Sequence, residues 1–171
     1  MALLKDNMVP FISAAEIQDM VRLLAKEIER DYQGKELVLI CPLKGSCLFI
    51  SDLCRKIQLQ QVIDFVHLTS PKNENVRILK DISVDITGKH VLIVEEIIDA
   101  GRTLSFLRSR LASSNPASLK IVSLLDKPAR RELPIKPDYV GRTIDDRFVI
   151  GYGLDSEELG RNYSDIYNYA N

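Results

Sequence analysis

The sequence predicts an α/β protein, a central mostly parallel sheet flanked by helices. Leu37–Cys41 and Val91–Val94 are short continuous apolar runs, the composition of strands buried on both faces. Each run leads through a glycine-bearing turn, Pro42–Ser46 or Asp99–Thr103, into residues at helical spacing. Ser118–Leu125 is a further apolar strand, ending in Asp126-Lys127. Buried strand, turn and helix in succession are the units from which parallel sheets are built.

The remaining elements follow in order. Ser13 opens a helix with Glu16 three residues on, a capping box, and Ile17, Met20, Val21, Leu24 and Ile28 share one face until Gly34. The helix after Pro42–Ser46 runs through Ile57. Gln61–Leu68 reads as a strand with Ile63 and Val66 buried, and Val76–Leu79 as a second strand. The polar stretch 69–75, broken by Pro71, lies between them as a loop. Arg130, Arg131, Pro134 and Pro137 mark another loop, and Phe148–Tyr152 reads as strand.

Composition narrows the functional classes. The 171 residues suit a single domain, 1–171, able to bury roughly 70% of the unfolded surface. A net charge of −1 disfavours a general nucleic-acid binder, which needs a strongly basic face. No apolar run reaches membrane-spanning length and the first residues lack a signal-peptide core, so no membrane partner is expected and the cytoplasm is the expected location. Cys41, Cys47 and Cys54 have no metal-ligand spacing and are expected as core thiols; His67 and His90 flank strands and are expected to be structural.

The chemistry concentrates where the second apolar run emerges. Glu95 and Glu96 stand at the strand's end, suited to accept hydrogen bonds from vicinal sugar hydroxyls or to neighbour a cation. Ala100, Gly101, Arg102 and Thr103 then offer successive backbone amides and a hydroxyl to a phosphate at a helix N-terminus. Amides for phosphate beside acids for hydroxyls describe a sugar phosphate. No GxxxxGK[ST] segment occurs, so this is not a P-loop.

VLIVEEIIDAGRTL (Val91–Leu104) resembles the phosphoribosyl pyrophosphate (PRPP) motif of type I phosphoribosyltransferases, in the hypoxanthine-guanine branch. PLKGS (Pro42–Ser46) resembles the pyrophosphate loop of that family, implying a cis peptide between Leu43 and Lys44, with Gly45 also in the loop. The resemblance runs over most of residues 35–161. It implies the type I phosphoribosyltransferase fold, with a small hood over the base site drawn mainly from about 126–171. It implies Asp99 as general base and Glu95, Glu96, Asp99, Ala100, Gly101, Arg102 and Thr103 on the ribose and 5′-phosphate. Leu43, Lys44, Gly45, Ser70, Arg131 and Arg161 fall to the pyrophosphate, and Lys127, Phe148, Val149 and Asp155 to the purine. Mg²⁺ would be held by Glu95, Glu96 and Asp155, directly or through water.

The implied reaction joins PRPP to hypoxanthine or guanine, giving IMP or GMP and pyrophosphate, in a homodimer or homotetramer. Alternatives are a regulatory homologue that senses PRPP or nucleotide, and a xanthine-preferring enzyme. Three departures from the family pattern stand out: Glu95-Glu96 for the usual Glu-Asp, Ala100 for Thr, and Ser70-Pro71 for Ser-Tyr in a short lid loop.

Overall fold

A computed structural model describes residues 7–69 and 75–169. The chain runs β1 (Met8–Ile12), α1 (Ala14–Asp31), β2 (Leu37–Leu43), α2 (Cys47–Lys56), β3 (Gln61–Thr69), β4 (Arg77–Lys80), β5 (His90–Ile98), α3 (Arg102–Ala112), β6 (Ser118–Asp126), β7 (Tyr139–Thr143), β8 (Val149–Ile150) and β9 (Ile166–Tyr169). The main sheet has the order β4-β3-β2-β5-β6-β7. All its pairings are parallel except β3 with β4. The expected α/β class, with a mostly parallel central sheet, is what the structure has.

Both faces of the sheet are covered, which explains the continuous apolar runs. Leu37, Leu39 and Cys41 of β2 and Leu92 and Val94 of β5 join one core with α1 and α2. The alternate residues Val38, Ile40, Val91 and Ile93 join a second core with Leu104, Leu107 and Leu111 of α3. The capping box on α1 forms: the Glu16 N–H donates to Ser13 Oγ at 3.3 Å and the Ser13 N–H to Glu16 Oε2 at 2.9 Å. The buried residues of α1 include all those expected from its spacing, and Gly34, at φ 74°, turns the chain beyond it.

Three expectations are corrected. Ile63 is 40% exposed, and on β3 only Val66 is fully buried. The reason is register: β4 pairs only with His67–Thr69, leaving the first half of β3 as a free edge. Cys47 is exposed at the start of α2, Cys54 is half-buried, and only Cys41 is a core thiol. The Phe148–Tyr152 strand is shorter than read, only Val149–Ile150. A second, smaller sheet has the order β1-β9-β8, with Met8 opposite Tyr169, while β7 belongs to the main sheet.

Ser13→Ala removes one half of the capping box and is expected to lower stability by about 1 kcal/mol. Urea denaturation measures this, and an unchanged midpoint would contradict the cap.

Candidate functional site

The sheet opens between β2 and β5. From β2 the chain crosses through α2 to β3, and from β5 it crosses through α3 to β6, in opposite directions along the sheet. Adjacent parallel strands with diverging crossovers leave a crevice at their carboxyl ends. A cleft of about 460 Å³ lies there, lined by the β2 turn (Pro42–Gly45), the end of β5 with its turn (Glu95–Thr103), and Arg130. The sequence-predicted Leu43, Lys44, Gly45, Glu95, Glu96, Asp99, Ala100, Gly101, Arg102 and Thr103 all line it.

The β5 turn is built for close approach. Gly101 is the N-cap of α3 at φ 83°, where no side chain caps the helix. A Cβ there would come within 2.6 Å of Ile135 Cγ2, so both conformation and space require glycine. The first amides of α3 therefore lack a side-chain acceptor at the mouth of the cleft, the geometry that binds anions. Arg102 pairs with Glu132 at 3.2 Å, and Asp99 Oδ1 accepts from Arg130 Nε at 3.0 Å.

The β2 turn supplies a second backbone surface. The Leu43–Lys44 peptide is cis. Lys44 reaches outward to pair with Glu158 at 3.0 Å. Gly45 lies under the Glu96 carboxylate: a Cβ would fall 1.9 Å from Glu96 Oε1. On its other side Gly153 meets Gly45, whose carbonyl oxygen would lie 2.0 Å from a Cβ at 153.

Glu95 and Glu96 both line the cleft. Loss of solvent, then the neighbouring Glu96 charge, pushes the Glu95 carboxyl well above the usual carboxylate range. Glu96 is pushed up to about 7, chiefly by loss of solvent; its own backbone and Arg161 oppose the rise, and Asp155 adds to it. Two adjacent acids are a poor resting arrangement and a good receptacle for a cation or for hydroxyl donors. Among the described residues no group of three or more His, Cys, Asp or Glu side chains is arranged to hold a metal. Two adjacent carboxylates suit an ion that takes one or two of them and completes its shell with water and ligand phosphates, as Mg²⁺ does.

The remaining expected residues lie around the cleft rather than in its wall. Lys127 is buried at 7% exposure, just beyond β6. Phe148 is 45% exposed, with its ring 5.5 Å from that of Tyr169, and Val149 is buried in the small sheet. Asp155 pairs with Arg161 at 2.9 Å and accepts from the Glu158 N–H at 2.9 Å. Arg161 also donates to the Gly153 carbonyl at 2.8 Å. Ser70 and the Ser70-Pro71 departure lie outside the described residues.

Arg131 is a correction. Its guanidinium does not face the cleft; it is 14% exposed and held by Asp126 and by carbonyls of the β5 turn. Sequence reasoning missed Arg130, which bridges Asp99 and Asp146 (3.6 Å), and missed Gly153. The only trace of Arg130 was its place in a charged loop after Pro128.

The phosphoribosyl transferase domain family matches residues 13–157. The chain is 43% identical over 166 residues to the hypoxanthine phosphoribosyltransferase of Salmonella typhimurium, covering 93% of each. A crystal structure of a hypoxanthine-guanine phosphoribosyltransferase from Bacillus anthracis is similar with TM-score 0.92 and 44% identity, over 95% of this chain and 98% of that one. One of a hypoxanthine phosphoribosyltransferase from Staphylococcus aureus is similar with TM-score 0.94 and 40% identity, over 99% and 97%.

The acid pair makes stability depend on pH. A carboxyl with a raised folded pKa binds more protons folded than unfolded between its two pKa values, so it costs stability as pH rises through that window. For Glu96 the window runs from 4.5 to about 7. Glu95→Gln removes the like charge and is expected to raise Tm at about pH 8 and to change it far less at about pH 4. Thermal denaturation at both pH values checks this; no gain at the higher pH would contradict the coupling.

Proposed function

This chain belongs to the phosphoribosyl transferase domain family, and on that premise we propose that it is a purine salvage enzyme. It transfers the 5-phosphoribosyl group of PRPP to a 6-oxopurine, hypoxanthine or guanine, giving IMP or GMP and pyrophosphate. The observation that carries this reading is the cleft itself: an uncapped helix N-terminus, an acid pair and the glycine-bearing β2 turn meet in one crevice. Few ligands besides a ribose bearing phosphates at both ends need all three.

The proposed roles follow from chemistry and position. Amides and the hydroxyl of Ala100–Thr103 bind the 5′-phosphate. Glu95 and Glu96 accept from the ribose hydroxyls and orient the anomeric carbon toward the base. Their negative charge favours the cationic character that develops there. Backbone of Leu43–Gly45 meets the pyrophosphate, with Lys44 and Arg161 beside it. Asp99, oriented by Arg130, takes the proton from purine N7.

Lys127 donates to the 6-oxo oxygen; a lysine offers donors only and so disfavours adenine's amino group. Phe148 stacks on the base, which meets the backbone near Val149, with Asp155 toward the 2-position. Mg²⁺ would be held by Glu95 and Glu96, with Asp155 nearby, directly or through water, and supplies positive charge to the departing pyrophosphate when bound. A homodimer or homotetramer fits the apolar residues exposed along β3 and β4, Val62, Ile63 and Leu79. Among the described residues no helix is long and apolar enough to cross a membrane, and the cytoplasm is the proposed location.

Turnover of hypoxanthine, guanine, xanthine and adenine with PRPP and Mg²⁺ tests the reading: 6-oxopurines are expected to react and adenine to be poor. If no purine reacts, the reading fails. Asp99→Asn is expected to lower kcat about 100-fold or more while PRPP still binds; an unchanged kcat removes Asp99 as the base. Lys127→Ala is expected to narrow the preference for hypoxanthine over adenine about tenfold, by loss of a charge-assisted hydrogen bond. An unmoved kcat/KM ratio would remove Lys127 from the base pocket.

A further inference from the structure

Arg131 carries a nearly buried guanidinium that the cleft chemistry does not use. It lies behind the β5 turn, with its side chain 14% exposed. Nη1 donates to the carbonyl of Ile98 at 2.8 Å and to that of Asp99. Nε donates to the Ile135 carbonyl at 3.1 Å, and Nη2 pairs with the Asp126 carboxylate. Neighbouring backbone adds to the grip: the Lys127 N–H donates to Ile98 O at 3.0 Å and the Glu132 N–H to Ala100 O at 3.1 Å.

Three successive carbonyls, those of Ile98, Asp99 and Ala100, are thus drawn toward the segment 127–132. In a trans peptide the C=O and the following N–H point in opposite directions. The amides of Asp99, Ala100 and Gly101 are therefore turned the other way, toward the cleft these residues line. The planar guanidinium spreads its donors over three nitrogens in fixed directions, so it reaches carbonyls of separate segments and a carboxylate with one geometry; a lysine ammonium places its three donors on a single atom. Asp126 offsets the burial of the guanidinium charge.

We propose that Arg131 is a positioning residue, which aims the phosphate-binding amides of the β5 turn into the cleft and fixes that turn against Lys127 on the base side. The turn and the base-recognition segment then keep one spacing. What the amides bind rests on the transferase reading; the orientation of the amides does not.

The test uses the full-length wild type, Arg131→Lys, Arg131→Ala and Asp126→Asn. Ribose 5-phosphate binding is measured by calorimetry, and kcat and both KM values by steady-state assay. For the Arg131 variants, ribose 5-phosphate affinity and kcat/KM for PRPP are expected to fall about 10- to 100-fold, the scale of a misplaced binding group. The KM for the purine is expected to move less, and millimolar guanidinium to restore part of the loss in Arg131→Ala while leaving wild type unchanged.

Unaltered ribose 5-phosphate affinity overturns the proposal. So does an equal rise in both KM values without guanidinium rescue, because that marks a general loss of structure. If circular dichroism shows the Arg131 variants unfolded, Asp126→Asn decides: a weaker loss with the same bias toward the phosphate ligand supports the proposal, and none overturns it. A wild type that binds ribose 5-phosphate but turns over no purine sinks the transferase reading, and the binding arm still decides the role of Arg131.

Discussion

The site depends on the divergence of two neighbouring strands. β2 and β5 lie side by side, yet the chain leaves them for opposite edges of the sheet. Two turns, those after β2 and β5, line the gap this leaves. Each brings a different resource: β5 ends in carboxylates and a helix N-terminus, and the β2 turn brings Lys44 and the bare backbone of Gly45. A ligand that is anionic at its ends and hydroxylated in its middle meets complementary groups along its length. The small sheet of β1, β8 and β9 packs on one of the same cores through Ile12, Val149 and Ile166.

The acid pair is a local conflict held in place by the fold. Glu95 and Glu96 both lose solvent, which makes each harder to ionise, and the Glu96 charge adds to the cost for Glu95. A sequence selected only for stability would not place two carboxyls in contact at the end of a buried strand. The glutamate at 96 seats its carboxylate directly over Gly45, and this bare position on the β2 turn is what admits it. The acid and the glycine are therefore one arrangement supplied by two distant segments.

Much of this was legible in the sequence, and the failures have a common cause. The capping box at Ser13–Glu16, the doubly buried strands and the glycine at the α3 N-terminus are written in adjacent residues, so local rules recover them. Burial along β3 depends on how far β4 extends beside it, which no residue of β3 encodes. The pairing of Met8 with Tyr169 joins the two ends of the chain and leaves no local trace. An arginine in a loop with Pro128 and Pro134 reads as solvated, and only the carbonyls gathered around Arg131 show otherwise. The PRPP-like stretch was recognisable because its chemistry lies within a single turn. The roles expected for Lys127, Phe148 and Asp155 rest on resemblance, because the three come from separate elements and share no local pattern.

The contact between Gly153 and Gly45 has a mechanical meaning. A side-chain interface yields when one partner shifts, because rotamers absorb the strain. Here the carbonyl of one chain segment rests against the bare α-carbon of the other, with no such cushion, and the Gly153 segment is tied in turn to Arg161. Displacement at this joint is passed on rather than damped. The Gly153 segment and the β2 turn therefore travel together, coupled at this joint through main chain.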